Sequence, residues 1–159
     1  MSGSNHTHQS DDPSKLSLDA AADYLSQGKA KVQAGEFAEA EVSLARLLGD
    51  YPNHSEALYL TSVAQRFCEN YDRALSTLQK LIDIEPTYGR AWQERGHIFM
   101  SRNNILEARS AFQQAVTLNS SLIASWRMLM LLVDSKLDHK AHEYYKDQYQ
   151  RLAALPPEL

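Results

Sequence analysis

The sequence predicts an all-α fold built from repeated helix pairs, and three observations favour this class. Proline inside a helix costs about 3 kcal/mol, and long stretches of the chain contain none. Those stretches are rich in Ala, Leu, Glu, Gln, Arg and Lys and lack the alternating pattern of a strand. Similar residues also recur every 34 positions, as Ala40, Ala74 and Ala108 do. We therefore expect a stack of similar helical units.

Composition excludes several classes of function. The 159 residues carry 16 Lys and Arg against 20 Asp and Glu, a net charge of −4, whereas a protein that neutralises duplex phosphates has a basic surplus. No apolar run approaches the roughly 20 residues of a transmembrane helix, and residues 1–17 lack the apolar core of a secretory signal. Cys68 is the single cysteine, which favours a reducing compartment. We expect a cytoplasmic protein that binds neither nucleic acid nor membranes.

The N-terminal segment, residues 1–17, is polar and shows no helical periodicity. Such a segment buries too little apolar surface to order itself, so we expect a disordered tail. Ser17 is the expected N-cap of the first helix, because a serine oxygen can accept a bond from a free N–H of the first turn. His6 and His8 form a His-x-His pair, for which a solvated tail is the preferred interpretation over metal binding.

The repeat divides the rest of the chain into units. Six sets of aligned positions agree across three or four units, which chance would scatter. In the third unit the pattern predicts helix A from Gly89 to Arg102, a turn at Asn103 and Asn104, and helix B from Ile105 to Leu118. The expected organisation is a helical domain over residues 18–155, with units 21–54, 55–88, 89–122 and a degenerate fourth at 123–155, followed by a tail at 156–159.

Two glycines, Gly28 and Gly96, fall in the middle of the predicted A helices, where glycine costs up to about 1 kcal/mol relative to alanine. We interpret them as points where helix B approaches closely, so that Ala108 and Phe112 pack on the bare backbone of Gly96. The same register places Trp92 and Trp126 in the core and uses Pro52 and Pro86 to end the B helices.

The fourth unit departs from this register. Met130 occupies the slot of the small residue and Tyr145 arrives one position early, which a one-residue deletion near residues 135–138 explains. The last helix is expected at about Asp138 to Leu155, and it is polar, as the outer face of a terminal repeat must be. We interpret it as a C-terminal cap; the alternative is that Tyr145 and Tyr149 await a further repeat.

Three stretches carry a family resemblance: Ala91 to Phe99, Ala108 with Phe112, and Asp83 to Pro86. Together with the 34-residue period they resemble the tetratricopeptide repeat family over about Ala21 to Leu122. The resemblance implies a right-handed solenoid of helix pairs. Repeat arrays bind partners on a concave face, which the A helices mainly line.

Translating the register by 34 residues predicts which side chains line that concave face. They mix apolar, aromatic and cationic groups, a chemistry that can hold an extended or helical peptide with arginine on its carboxylates. For any single residue the alternative is an ordinary solvated helix face. We expect an interaction scaffold whose partner is a protein or peptide, or a C-terminal domain of the same gene product. The expected binding residues are Lys29, Tyr59, Arg66, Arg90, Gln93, His97 and Arg127.

One branch of the tetratricopeptide family holds chaperone C-terminal carboxylates with a clamp of Lys, Asn, Asn, Lys and Arg. Leucine in two of these slots removes polar donors, and glutamate in a third inverts a charge. The resemblance therefore does not extend to chaperone-tail binding. The residues in the five slots are Leu25, Lys29, Leu60, Arg90 and Glu94.

The runs Ala91 to His97, Ala124 to Arg127 and Leu152 to Leu159 carry a narrower resemblance. They look like the N-terminal repeats of bacterial tetratricopeptide sulfotransferases. In that family further repeats follow, and then a domain that uses a phosphosulfate nucleotide, whose donor loop has no counterpart here. The alternative function is therefore a regulatory or substrate-docking region of such an enzyme, whose gene would continue in frame past Leu159.

The sequence contains no catalytic motif: it lacks a phosphate-binding glycine loop, a serine nucleophile elbow and a His-Glu-x-x-His run. His139, His142 and Glu143 lie within one turn of the last helix, but with no further ligand nearby we interpret them as solvated groups. Cys68 is interpreted as a small apolar filler. We expect no catalytic residue, metal or cofactor, and an enzyme or metal protein that uses His97 or the His139 cluster is the least favoured alternative.

Overall fold

A computed structural model describes residues 14–156, and within that range the chain forms eight α-helices and no strand. The predicted tail at residues 1–13, with His6 and His8, and the final residues 157–159 lie outside the described residues. The helices are α1 (Leu18–Ala34), α2 (Phe37–Asp50), α3 (Ser55–Phe67), α4 (Tyr71–Ile84), α5 (Gly89–Ser101), α6 (Ile105–Leu118), α7 (Ile123–Leu132) and α8 (His139–Ala153).

The helices pack as four consecutive pairs. In each pair a first helix, here called an A helix (α1, α3, α5 and α7), packs on the B helix that follows it (α2, α4, α6 and α8). Each B helix from α2 to α6 also packs on the A helix of the next unit, and α3 contacts both α1 and α5. This nearest-neighbour arrangement is a solenoid of helical repeats, so the predicted fold class is confirmed.

The helix boundaries follow the predicted register. Helix α6 has the predicted bounds, and α5 differs from its predicted bounds only at the C-terminal end, which is Ser101 and not Arg102. Helices α2 and α4 end two residues before Pro52 and Pro86, because proline disfavours helical backbone in the residue that precedes it. Between the A and B helices of the first three units, one residue adopts positive φ; these residues are Gly35 at 77°, Glu69 at 60° and Asn103 at 59°.

The glycines inside the A helices lie under large side chains of helix B, as predicted. A Cβ atom at Gly28 would lie 2.5 Å from Cδ2 of Leu44, and one at Gly96 would lie 2.6 Å from Cε1 of Phe112. Both distances are far below van der Waals contact. The absence of a side chain at these two positions therefore lets the paired helices approach.

The fourth unit replaces this contact with an aromatic cluster. Tyr145 is buried, lies 6.2 Å from the ring of Trp126, and accepts a hydrogen bond of 3.0 Å from Nε2 of Gln113. Tyr149 also packs in this second core cluster, so both tyrosines have partners within the described chain. Trp126 is 6% exposed, whereas Trp92 is partly buried against the first cluster.

The residues just before α1 are held against the end of the first unit. The hydroxyl of Ser17 accepts a bond of 3.2 Å from the N–H of Ala20, which confirms it as the N-cap. The N–H of Leu16 donates to Asp50 at 2.8 Å, and the Tyr51 hydroxyl donates to the Leu16 carbonyl at 2.7 Å. The last residues of the expected disordered tail are therefore anchored to the end of α2.

Candidate protein-binding surface

The seven predicted binding residues all lie on A helices, and they are called here the A-helix surface. Lys29 lies on α1, Tyr59 and Arg66 on α3, and the others on α5 and α7. Lys29, Arg90 and Arg127 are exposed, whereas Tyr59 is only 8% exposed and the remaining three are partly buried. The structure therefore divides the predicted set into three exposed residues and four that are wholly or partly buried.

Two pairs on this surface link successive A helices. Nζ of Lys29 on α1 lies 3.2 Å from Oε1 of Glu56 on α3. The guanidinium of Arg90 on α5 lies over the ring of Tyr59, 4.3 Å from its centroid, and Nη2 donates to the Tyr59 hydroxyl at 3.3 Å. Burial raises the pKa of Tyr59, so its hydroxyl stays protonated. The first pair links α1 to α3, and the second links α3 to α5.

A more buried ion pair lies beside them. Nε of Arg66 donates to the carboxylate of Glu94, whose side chain is 4% exposed against 18% for Arg66. The Arg66 guanidinium also lies 4.2 Å from the ring centroid of Phe67. Burial raises the pKa of Glu94, and the charges of Arg66 and Arg90 oppose that rise. The positive charge of Arg66 is thus largely compensated within the protein.

His97 is a titratable member of the surface that carries no charge at neutral pH. Its ring meets the ring of Phe112 edge-on at 5.1 Å between centroids. Burial, assisted by the charge of Arg66, lowers the pKa of His97 to about 4. The imidazole is therefore uncharged at neutral pH and offers hydrogen-bonding nitrogens without a positive charge.

The surface continues onto α7 through a polar contact. The hydroxyl of Ser125, which is fully buried, donates to Oε1 of Gln93 at 2.9 Å. Arg127 is exposed and makes no ion pair or ring contact within residues 14–156. Of the four cationic residues in the set, Lys29 and Arg66 have a carboxylate partner, whereas Arg90 and Arg127 have none in that range. The uncompensated positive charge therefore lies on α5 and α7.

Two of these contacts were not predicted from the sequence: the pair of Arg66 with Glu94 and the bond from Ser125 to Gln93. Both contacts join residues of different units, 28 and 32 positions apart. The available signal was the complementary charge or polarity of two side chains on neighbouring A helices.

The other predicted candidates form no chemical site in the described part of the chain. Among residues 14–156 there is no group of three His, Cys, Asp or Glu side chains that could hold a metal ion. Glu143 instead pairs with Lys146 at 3.3 Å. Cys68 is a partly buried free thiol at the end of α3. No helix in this range is long and apolar enough to cross a membrane.

Comparisons with known proteins identify one family. The profile of the tetratricopeptide repeat-like domain matches residues 15–142, and no curated protein matches the chain. A fragment of MamA from Desulfovibrio magneticus RS-1 is similar in structure, with 20% identity and a TM-score of 0.64 over 84% of this chain and 73% of that one.

Two further solved structures share the fold. A mutant of the O-GlcNAc transferase of Thermobaculum terrenum has 19% identity and a TM-score of 0.75 over 86% of this chain and 27% of that one. The first tetratricopeptide repeat domain of Spaghetti (RPAP3), bound to an HSP90 peptide, has 14% identity and a TM-score of 0.67 over 74% and 93%. At these identities the similarity shows the fold alone.

Proposed function

Because the chain belongs to the tetratricopeptide repeat-like domain family, we propose that it is a protein–protein interaction scaffold that binds a peptide or a neighbouring domain on its A-helix surface. The observation that carries the proposal is the exposure of Arg90 and Arg127 without a carboxylate partner in the described chain. The solved RPAP3 domain, which has the same fold, is bound to a peptide.

The chemistry of the surface favours an acidic partner. Arginine binds carboxylates through two parallel hydrogen bonds, and the Arg90 guanidinium is already oriented by the Tyr59 ring. His97 adds a neutral polar group, and Lys29 with Glu56 forms an exposed ion pair at the other end of the surface. An acidic segment that crosses α5 and α7 would compensate both arginines. This differs from the chaperone-tail clamp, whose slots hold Leu25, Leu60 and Glu94 here.

The proposal is tested by affinity capture from a lysate of the source organism, with partners quantified by mass spectrometry. The wild-type chain is compared with the Arg90→Ala/Arg127→Ala double variant. Arg151→Ala is the matched control, because Arg151 is an exposed arginine on α8, 72% accessible, outside the A-helix surface. We expect the double variant alone to lose the partner. Equal recovery by all three folded proteins would contradict the proposal.

The second hypothesis, a regulatory or docking region of a sulfotransferase, rests on the short runs at residues 91–97, 124–127 and 152–159. None of the matches described above is a sulfotransferase, so the scaffold hypothesis is preferred. Sequencing the transcript past Leu159 separates the two, since the sulfotransferase hypothesis requires an in-frame domain that binds a phosphosulfate nucleotide. A cytoplasmic location belongs to the scaffold proposal and is supported by the free thiol of Cys68.

A further inference from the structure

A groove of the first two units is lined by none of the seven residues of the A-helix surface. Its walls are the B helices α2 and α4, and α3 forms its floor with Leu58, Thr61 and Gln65. The open cavity has a volume of about 460 Å³. A second cavity of about 440 Å³ continues toward Asp72 and shares Gln65 and Arg73 with the first. We call this feature the B-helix groove.

The polar groups of the groove are fixed by a hydrogen-bond network. Gln65, only 4% exposed, donates to Oε1 of Glu41 at 3.1 Å and accepts a bond of 2.8 Å from the hydroxyl of Thr77. Arg73 also donates to Oε1 of Glu41, at 2.5 Å. Among the described residues nothing donates to the second carboxylate oxygen of Glu41. The carboxylate of Glu41, which lines the groove, is thus held by two donors on one of its oxygens.

Gly49 is a second, independent observation that points to a ligand. It lies on the wall of the groove in the last turn of α2, and glycine disfavours helix relative to alanine. A fold requires glycine where φ is positive or where a side chain would collide with a neighbour. At Gly49 φ is not positive, and a Cβ atom would meet nothing within 4 Å among the described residues. The repeat does not require it either, since the equivalent positions hold Asp83 and Thr117. A glycine without a role in the fold fits a place where another chain passes close to the backbone.

The charge of the groove favours an acidic occupant. Arg73 is paired with Glu41, whereas Lys80 is exposed and has no ion pair within residues 14–156. Asp72, at the far end of the groove, is paired with Arg102, so Lys80 is the one charged group lining the groove that has no ion pair in that range, on a protein whose net charge is −4. Its length along α4, from Asp72 to Lys80, is about 12 Å, which accommodates about three or four residues of extended chain.

We propose that the B-helix groove is a second binding site, which takes an extended peptide segment of a partner protein with an acidic side chain. The peptide backbone passes over Gly49, one of its N–H groups donates to the second oxygen of Glu41, and its carboxylate binds Lys80. The site is built from residues other than those of the A-helix surface. A scaffold with both sites can bind two partners at once.

The test uses the isotope-labelled full chain and amide chemical shifts. The probe is a pool of hexapeptides, blocked at both ends, with glutamate fixed at the third position and the other positions varied; a matched pool has glutamine there. We expect the glutamate pool to shift the amide signals of Gly49, Thr77 and Lys80, and the glutamine pool to bind at least fivefold more weakly. Shifts confined to Arg90, His97 and Arg127 would overturn this inference while leaving the proposed function intact, and no shifts at all would also overturn it.

Gly49→Ala separates binding from folding. A methyl group there meets nothing within 4 Å in residues 14–156, so the variant should unfold at a temperature equal to or above that of the wild type. It should nevertheless bind the glutamate pool at least fivefold more weakly, because the methyl group occupies the path of the peptide backbone. Gln114→Ala, at an exposed position of α6 outside the groove, is the control and should bind unchanged. Wild-type affinity in Gly49→Ala would contradict the proposal.

Discussion

Nε of Arg66 donates a hydrogen bond to the carboxylate of Glu94 across the contact between α3 and α5. This pair belongs to two successive units, and its acid is almost completely buried. Removing two charges from water costs free energy that only a good partner offsets. The pair therefore fixes how the second unit is placed against the third, and it determines the shape of the surface on which Arg90 lies.

Glu94→Ala should destabilise the protein by about 3 kcal/mol, because it leaves the partly buried Arg66 without its partner. Glu94→Gln should cost less, since the amide oxygen still accepts a bond. Lys29→Ala is the comparison: its pair with Glu56 is exposed and should change stability by less than about 1 kcal/mol. Chemical denaturation measures all three variants. Equal costs for Glu94→Ala and Lys29→Ala would show that the buried pair has no special role.

His97 should make stability depend on pH. Its folded pKa of about 4 is below the ordinary 6.5, so the unfolded chain binds the proton first as the pH falls. The contribution of His97 is fully present above pH 6.5 and is lost as the pH falls toward 4, by up to about 3 kcal/mol. Glu94, with its raised pKa, acts in the opposite direction.

The contribution of His97 is isolated by comparing the wild type with His97→Asn at pH 5 and pH 7, since the effect of Glu94 is then common to both proteins. We expect the wild type to lose more stability between these two pH values than the variant. Parallel losses in urea denaturation would refute the assignment.

Gly96→Ala should destabilise the protein although alanine favours helix. The added Cβ would lie 2.6 Å from the Phe112 ring, and overpacking of a core costs about 1 to 3 kcal/mol. The helix propensity of alanine returns at most about 1 kcal/mol. Gly49→Ala is the matched control, because its methyl group meets open space. Thermal unfolding should give a lower midpoint for Gly96→Ala than for Gly49→Ala, and the reverse order would contradict the packing argument.

Glu69 occupies a backbone conformation that glycine adopts in the first unit. Its φ of 60° corresponds to 77° at Gly35, and a side chain in this region costs about 1 kcal/mol or more. Glu69→Gly should therefore stabilise the protein by about 0.5 to 1 kcal/mol, and Gly35→Ala should destabilise it by about 1 kcal/mol. Strain at this turn would be excluded if both variants shifted the denaturation midpoint in the same direction. It would also be excluded if Glu69→Gly lowered the midpoint and Gly35→Ala raised it.

The repeat register could be predicted from the sequence because it depends on prolines and mid-helix glycines, and each of these residue types indicates one structural feature. Pro52 and Pro86 limit the B helices, and Gly96 requires a close neighbour wherever the helix pair forms. The contacts between units could not be predicted in the same way. Whether Arg66 reaches Glu94, or Arg90 covers Tyr59, depends on the rotation of one unit against the next, which a period of 34 residues does not specify.

The chain just before α1 shows the same limit of pattern analysis. A bond from the backbone N–H of Leu16 to the carboxylate of Asp50 holds it to the first unit, and it lowers the pKa of Asp50. A backbone donor has no residue signature, so polar composition alone predicted disorder there. The B-helix groove could not be predicted from the sequence either. A glycine such as Gly49 is common near the end of a helix, and only the residues around it show that the fold does not require it.

We propose that Arg90 and Arg127 bind the partner of this protein, and the dissociation constant of the recovered partner is the measurement that decides it. Isothermal titration calorimetry compares the wild-type chain with Arg90→Ala/Arg127→Ala and with Arg151→Ala. We expect the double variant to bind at least tenfold more weakly, and Arg151→Ala to bind like the wild type. Equal affinity of all three folded proteins would show that the two arginines do not bind the partner.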